Sequence, residues 1–576
     1  MKKNFIFRFA LLSTSFTFLM ISLSLIELAK NPVRGYELSI YSSTPIIFWV
    51  SVILGLINGF FLTYLGITDK IKGVHILGIF EILFVNSLVL ILHALRNYII
   101  CMLRGDAATY VGQMKDVGTY GNIGSDFYPL TSLIGSQLHQ ISDIPVFTLA
   151  KYIPAIFYIL SVLSVYCLSK SLISDKKYIT FAVVAATPLF FAWLSTGTYY
   201  MLLSVFTLPL FFYILINLED WRFRVLIVIF CFTYPFFHPI SAIVVLFYTA
   251  ISYLTQRYSL NHIEKHYVSV TLLTLSSISL IFWFINQKPI IVAFGKIINN
   301  LLGRLDETSA VGQAVYSLDK LGFASTLHTL FFLIFDEITF YSLAAIAIYF
   351  IVFKRDLLGR KKFALIISCF ISGSLLILFL FGFTTAHRPD RFINLNFNMM
   401  LAPVLVAYIL YLNHKNRLKT VFLMSLILLA TVSTYFSLYQ SPLTMRANDY
   451  MTLSEYHGAN WLISNKNPLI KTVDLANPIE RYADFIYGVK FRVLRNDLNR
   501  NLLLPDHFGF TSQFDNQFPI DRDRYLVLSP YDEEAYTNVW KDVGRFQIED
   551  FKKVDDCKNV LEIFENGGFK TYLIRS

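Results

Sequence analysis

Apolar residues fill most of the first three quarters of the chain in long runs, separated by short polar connectors. Runs long enough to cross about 30 Å of hydrocarbon fall near residues 5–28, 44–66, 74–96, 152–172, 178–195, 198–217, 222–238, 240–256, 267–286, 333–353, 362–384, 393–412 and 418–438. They predict about 13 membrane-spanning helices, with 222–256 also readable as one bent hairpin. Beyond residue 439 the pattern changes. RYLVLS (524–529) and FKTYLI (569–574) alternate as strands do, while 533–543 and 454–464 show helical spacing. The pattern therefore predicts an all-α polytopic membrane domain over residues 1–439 and a small α/β domain over 440–576, long enough for a core of its own.

The connectors carry the topology. If Lys2, Lys3 and Arg8 stay in the cytoplasm, every second connector should be basic. Those connectors hold Lys70 and Lys72, then Lys170, Lys176 and Lys177, then Arg222 and Arg224, and next Arg257 and Lys265. Lys354, Arg355, Arg360, Lys361 and Lys362 follow, and finally Lys415, Arg417 and Lys419. The alternation places the N-terminus in the cytoplasm and the 440–576 domain outside. Three polar segments, 97–151, 287–325 and 385–392, face outward with it. The N-terminal apolar run exceeds 20 residues and lacks a small-x-small site, so it reads as an uncleaved span.

Composition agrees with this reading. Of 576 residues, 55% are apolar, 16% aromatic and only 15% charged, against about 25% charged in soluble domains. The net charge of +10 does not indicate nucleic acid. Residues 440–576 hold 17 Lys and Arg against 20 Asp and Glu, so the excess lies in the membrane connectors. Five cysteines, Cys101, Cys167, Cys231, Cys369 and Cys557, show neither metal spacing nor a disulfide framework.

Charged residues in outward segments depart from the positive-inside pattern, which makes them candidates for chemistry. Asp106 directly follows an apolar run, where a carboxylate is costly unless paired or functional. Asp106, Tyr110 and Gln113 share one face of a short helix. A carboxylate at this boundary suits a general base that deprotonates an acceptor hydroxyl while a lipid-borne donor stays in the bilayer. The structural alternative is that Asp106 only caps the helix. Asp116 and Asp126 could orient the acceptor or, with Asp106, hold a divalent cation such as Mg or Mn; otherwise they are solvated loop charges. His238, before Pro239, could donate to a phosphate or sugar oxygen or serve only as a turn residue. His387, Arg388, Asp390 and Arg391 crowd an outward turn. There, Arg388 and Arg391 suit a phosphate, unless an internal Arg–Asp pair caps the helix.

At this point the sequence resembles the GT-C membrane glycosyltransferases. The resemblance rests on Asp106 in the first large outer loop, the short helix after it and the pair Tyr128-Pro129. GYELSIYSSTPIIFW (35–49), FHPISA (237–242), RPDRFINLN (388–396) and FENGGFKTYLI (564–574) are similar to archaeal-type members of that group. The resemblance implies a sugar transferred with inversion, on the outer face, from a polyprenyl-phosphate donor to a glycan, lipid or protein acceptor. It places Asp106 in the position of the family's catalytic acid residue. The residues of this sequence read as substrate contacts are Tyr110, Asp116, Asp126, Tyr128, His238, His387, Arg388 and Arg391.

No phosphate-binding glycine loop, HExxH, nucleophile elbow or dinucleotide fingerprint occurs. FENGG reads as a turn. Two other classes compete: a transporter or lipid flippase, and a non-catalytic envelope assembly protein. A transporter should place ionisable groups at mid-span and show internal repeats. Here the charges gather at the outer boundary, apart from Asp336 and Glu337 at the start of a span.

Overall fold

The computed structural model of the chain describes residues 2–68, 73–101, 103–123, 128–259, 268–287, 323–353, 360–383, 396–499, 504–511, 516–541 and 544–576. Among these residues, seven helices are long and apolar enough to cross a membrane: Asn4–Lys30, Ile46–Thr68, Val146–Leu172, Pro239–Arg257, Phe331–Phe353, Lys362–Phe379 and Arg417–Ser437. Val74–Leu90, Tyr200–Leu215, Val270–Ile285 and Ala402–Asn413 are shorter apolar helices. Large apolar side chains line the outward faces, including Phe5, Leu12 and Phe16 on the first helix and Ile278, Phe282, Leu375 and Phe379 elsewhere. Water would penalise such a surface, whereas lipid covers it at no cost. The chain is a multi-pass membrane protein.

Every apolar run meets helix, but not every run is a full span. The 178–195 run is no full span, since its α-helix, Lys176–Ala185, is only ten residues long. The chain then turns through Phe191 and Ala192, both at positive φ, into the 3-10 helix Ala192–Thr196. Residues 178–198 are all buried. A segment apolar on every side carries no pattern that fixes its helix length, so composition overstates it. Irregular backbone at this depth is tolerated only inside protein, and its carbonyls are satisfied there. Asn86 Nδ2 and the Tyr158 hydroxyl both donate to Thr187 O, at 2.7 and 2.9 Å. The 198–217 run likewise breaks into Tyr200–Phe206 and Leu208–Leu215, the second opening on Pro209. In 222–256, two helices, Trp221–Phe237 and Pro239–Ser259, meet at an extended His238. Asp336 and Glu337 lie near the start of the span Phe331–Phe353, as expected, within a helix that begins earlier, at Phe323.

The second body is a small α/β domain. Its strands are β1 (Thr472–Asp474), β2 (Arg524–Leu528), β3 (Val560–Glu565) and β4 (Lys570–Ile574), in the order β1-β2-β4-β3. β1 and β2 run parallel, and the other pairs are antiparallel with Val527 opposite Thr571. FENGG forms the β3–β4 turn, with Gly567 at φ 76. The helix Leu453–Asn465 starts at a Thr452/Glu455 capping box. The helix expected over 533–543 starts earlier, at Pro530, because Ser529 and Asp532 form a capping box there. It continues as a π-helical turn to Val539. Val473, Leu526, Phe546, Phe551 and Tyr572 share the core.

Ile99, Ile100 and Leu103 tie the two bodies together by pairing with Asp449 and Met451. Ile99 N donates to Met451 O at 2.9 Å, and Met451 N to Ile100 O at 3.0 Å. Arg104 completes the joint. Its guanidinium bonds Asp449 Oδ1 at 3.1 Å and Glu455 Oε1 at 2.8 Å, and lies 3.6 Å from the centre of the Tyr531 ring. A buried cation is costly alone but well held between two carboxylates and an aromatic face. The helix that follows, Asp106–Tyr120, is thereby fixed in place from its first turn.

Candidate active site

The Asp106–Tyr120 helix presents two working faces. One lies on the α/β domain, along the helix Ile479–Tyr487. Gly112 makes this approach possible, since a Cβ there would stand 2.3 Å from Asp484 O. Thr109 Oγ1 donates to Asp484 Oδ2 at 2.7 Å, and Arg492 Nε donates to Asp484 Oδ1 at 2.8 Å. Burial pushes the Asp484 carboxyl up, against the pull of Arg492 and Thr109. Lys115 Nζ donates to Phe485 O at 2.6 Å and Ile486 O at 3.2 Å, the carbonyls that end the facing helix. Burial brings its pKa down to about 8.

At the head of this face, Arg481 donates through Nη2 to Asp106 Oδ1 at 2.9 Å, and through Nη1 to Thr109 Oγ1. Gly105, not Asp106, is the N-cap, and Asp106 is the first helical residue. A carboxylate in that position complements the helix dipole but does not cap the chain. The Asp106 side chain is 58% exposed, and its Oδ2 has no partner among the described residues.

The other face is aromatic. Tyr110 stacks on Tyr200 with ring centres 3.8 Å apart, and Gln113 Oε1 accepts from the Tyr200 hydroxyl at 3.2 Å. Tyr128 meets Tyr200 edge-on at 6.3 Å, His238 at 5.3 Å and Trp283 at 6.4 Å. The Nδ1 of His238 is buried without a hydrogen-bond partner among the described residues. A continuous wall thus runs from beside Asp106 through Tyr110, Tyr200 and Tyr128 to His238 and Trp283.

Several solved structures resemble the chain, two of them as follows. One is the Archaeoglobus fulgidus oligosaccharyltransferase in complex with zinc and sulfate, at TM-score 0.46 and 12% identity, covering 85% of this chain and 72% of that one. The other is ArnT from Cupriavidus metallidurans bound to undecaprenyl phosphate, at TM-score 0.47 and 9% identity, covering 86% and 97%. No family model and no curated protein matches the sequence. Likenesses this distant leave the chemistry to be argued from the site's own residues.

Of the residues singled out in the sequence, Asp106, Tyr110, Tyr128 and His238 lie along one connected surface. Asp116 points elsewhere. It accepts from Lys490 N at 2.8 Å and packs on Gly488 of the α/β domain, and burial raises its pKa. Asp126, His387, Arg388, Asp390 and Arg391 lie outside the described residues. Among the described residues no three His, Cys, Asp or Glu side chains converge as metal ligands. Asp106 faces a guanidinium there, so these residues alone do not make a cation site.

Arg481, Tyr200 and Trp283 were not singled out in the sequence. Arg481 sits in IERYADFIY, whose apolar positions Ile479, Tyr482, Ala483 and Phe485 are buried. That spacing marks a docked helix, but nothing in it names a partner 375 residues away.

Proposed function

We propose that this chain is a membrane glycosyltransferase that moves a sugar from a polyprenyl-phosphate-linked donor to a glycan, lipid or protein acceptor on the outer face of the membrane. Asp106 carries the reading. It is held by one oxygen against Arg481, with Oδ2 uncommitted among the described residues, beside an aromatic wall. A carboxylate oriented through one oxygen keeps the other available for a proton. In the proposed step Asp106 takes the proton of an acceptor hydroxyl, and the acceptor oxygen attacks the anomeric carbon. The bond from that carbon to the phosphate oxygen breaks, and the polyprenyl phosphate leaves with the electron pair. Attack opposite the leaving group inverts the centre.

Arg388 and Arg391 are the proposed holders of the departing phosphate, since guanidinium pairs with phosphate oxygens bidentately. His387 and Asp126 are proposed as further substrate contacts. Tyr110, Tyr128 and His238 supply flat faces and one free ring nitrogen on the acceptor side. The N-terminus is proposed to be cytoplasmic and the α/β domain extracytoplasmic. The resemblance of the sequence motifs to the GT-C group supports the same activity.

The test is a lipid-extract assay of glycan transfer from polyprenyl-phosphate sugars, comparing wild type with Asp106→Asn. Loss of a general base should lower turnover by about 10²–10⁴-fold at normal expression. Near-wild-type turnover in the Asn variant would remove the base from the proposal.

A further inference from the structure

The FENGG turn between β3 and β4 has no part in the site around Asp106, yet it is pinned to the rest of its domain. Asn566 Nδ2 donates to Ser454 O at 2.8 Å, and Gly568 N donates to Asn566 Oδ1 at 3.2 Å. Gly568 lies so close to Ser454 that a Cβ there would stand 2.2 Å from Ser454 Oγ. Ser454 is in the first turn of the helix that opens on the Thr452/Glu455 capping box, and Glu455 in turn holds Arg104. A turn fixed in this way presents its neighbours already in place.

The turn bounds a cleft of about 130 Å³ in the surface of the α/β domain. Leu528, at the end of β2, gives it an apolar lining together with Phe551 and Phe569. Five charged side chains stand around that lining. Glu565 and Lys570 pair across β3 and β4, 3.3 Å apart. Tyr572, only 2% exposed, donates its hydroxyl to Asp555 Oδ1 at 2.6 Å. Asp555 Oδ2 has no partner among the described residues. Glu533 and Lys552 are exposed, and their side chains likewise make no bond among the described residues. Phe569 also meets Tyr482 edge-on, with ring centres 5.8 Å apart, and Tyr482 directly follows Arg481. The cleft is therefore built into the body that orients Asp106, but it shares no lining residue with the aromatic wall.

We propose that this cleft binds one neutral sugar unit of a glycan acceptor. The inference rests on the transferase reading above and chooses the glycan among its three acceptor classes. Size is the first reason. A volume of about 130 Å³ is well below the roughly 300–1,000 Å³ of a pocket for a whole drug-sized ligand, so one unit enters and the rest of the chain stays outside. Charge is the second. Three carboxylates and two ammonium groups share the rim, so a phosphate meets the carboxylates and a cation meets the lysines. A neutral polyol uses both signs. Its hydroxyls donate to Asp555 Oδ2 and Glu533 and accept from Lys552, while its C–H face covers Phe551 and Leu528. The hydrocarbon of a lipid acceptor has no use for such a rim. A peptide spreads one donor and one acceptor over each residue, and is met best by backbone along a strand edge. A sugar ring gathers several hydroxyls in one place, as the cleft gathers their partners.

The test uses full-length protein in lipid nanodiscs. The probes are the methyl glycosides of mannose, glucose, galactose and N-acetylglucosamine, with a blocked, uncharged tripeptide as control, and saturation-transfer NMR gives Kd for each. Wild type should bind at least one glycoside saturably and the peptide not at all. Asp555→Asn, which still accepts from Tyr572, and Lys552→Gln should each weaken that binding about tenfold. Asp106→Asn should bind the glycoside as wild type does. At a concentration equal to its Kd, the glycoside should slow transfer in the lipid-extract assay about twofold. Four outcomes overturn the cleft: no glycoside binds, Kd is unchanged in both cleft variants, Asp106→Asn loses binding, or the peptide binds in place of sugar. Glycoside binding that leaves transfer unslowed removes the acceptor role. Transfer that persists while no glycoside binds leaves the transferase and removes the cleft. Glycoside binding by a chain with no transfer activity removes the transferase reading and leaves a sugar site.

Discussion

Arg481 Nη2 stands 2.9 Å from Asp106 Oδ1, joining residues 375 positions apart. The pair is partly open to solvent, so it adds little to stability. Its consequence is geometric, because it fixes which carboxylate oxygen faces outward.

Arg481→Ala should therefore lower kcat about tenfold, roughly 1.4 kcal/mol of transition-state stabilisation, with small effects on donor KM and on Tm. Arg481→Lys should recover part of the loss, since it restores the charge but not the two-pronged hold on Asp106 and Thr109. Turnover and thermal melting measured on the same preparations check this. A fall in Tm that tracks the fall in kcat would make Arg481 a structural clamp only.

Arg388 and Arg391 lie three residues apart, a spacing that on a shared helical turn would set both guanidinium groups on one side. Arg→Lys at either position should raise the apparent KM for the lipid-linked donor while acceptor KM changes less. Replacing both with Ala should abolish transfer. Unchanged donor KM and turnover in both Lys variants would move the phosphate to another partner.

Gly112→Ala would place a methyl 2.3 Å from the Asp484 carbonyl oxygen. Backbone cannot move aside as a flexible side chain would, so the docked helix must lift. The expected cost is about 1–3 kcal/mol, seen as a lower Tm together with reduced turnover. An Ala variant with wild-type Tm would mean that the two helices are more loosely packed than the contact implies.

Topology can be read with engineered cysteines. Native Cys557 is buried and should not react in the folded chain. Leu469 is 90% exposed in the α/β domain, and Lys415 is exposed in a basic connector. With an impermeant maleimide on intact cells, Leu469→Cys should label and Lys415→Cys should not. The reverse pattern would invert the whole arrangement.

The apolar pattern located the helices well because lipid imposes a simple rule on length and composition. It misjudged Lys176–Ala185 because a segment surrounded by protein is free of that rule. Asp106 stood out because a charge beside an apolar run has few cheap explanations. Arg481 did not, since a charged residue on a helix of a polar domain is unremarkable until its partner is known.

The strand order β1-β2-β4-β3 has a consequence for biosynthesis. β4, residues 570–574, fills the gap between β2 and β3 and is the last of the four to be made. The sheet cannot close until it arrives, and the helix bearing Arg481 rests against that domain. The membrane helices and Asp106 are thus translated and inserted well before their partner surface exists. A ribosome stalled or a message truncated short of residue 570 would leave an inserted bundle with an unassembled site, and so a chain that sits in the membrane without working there.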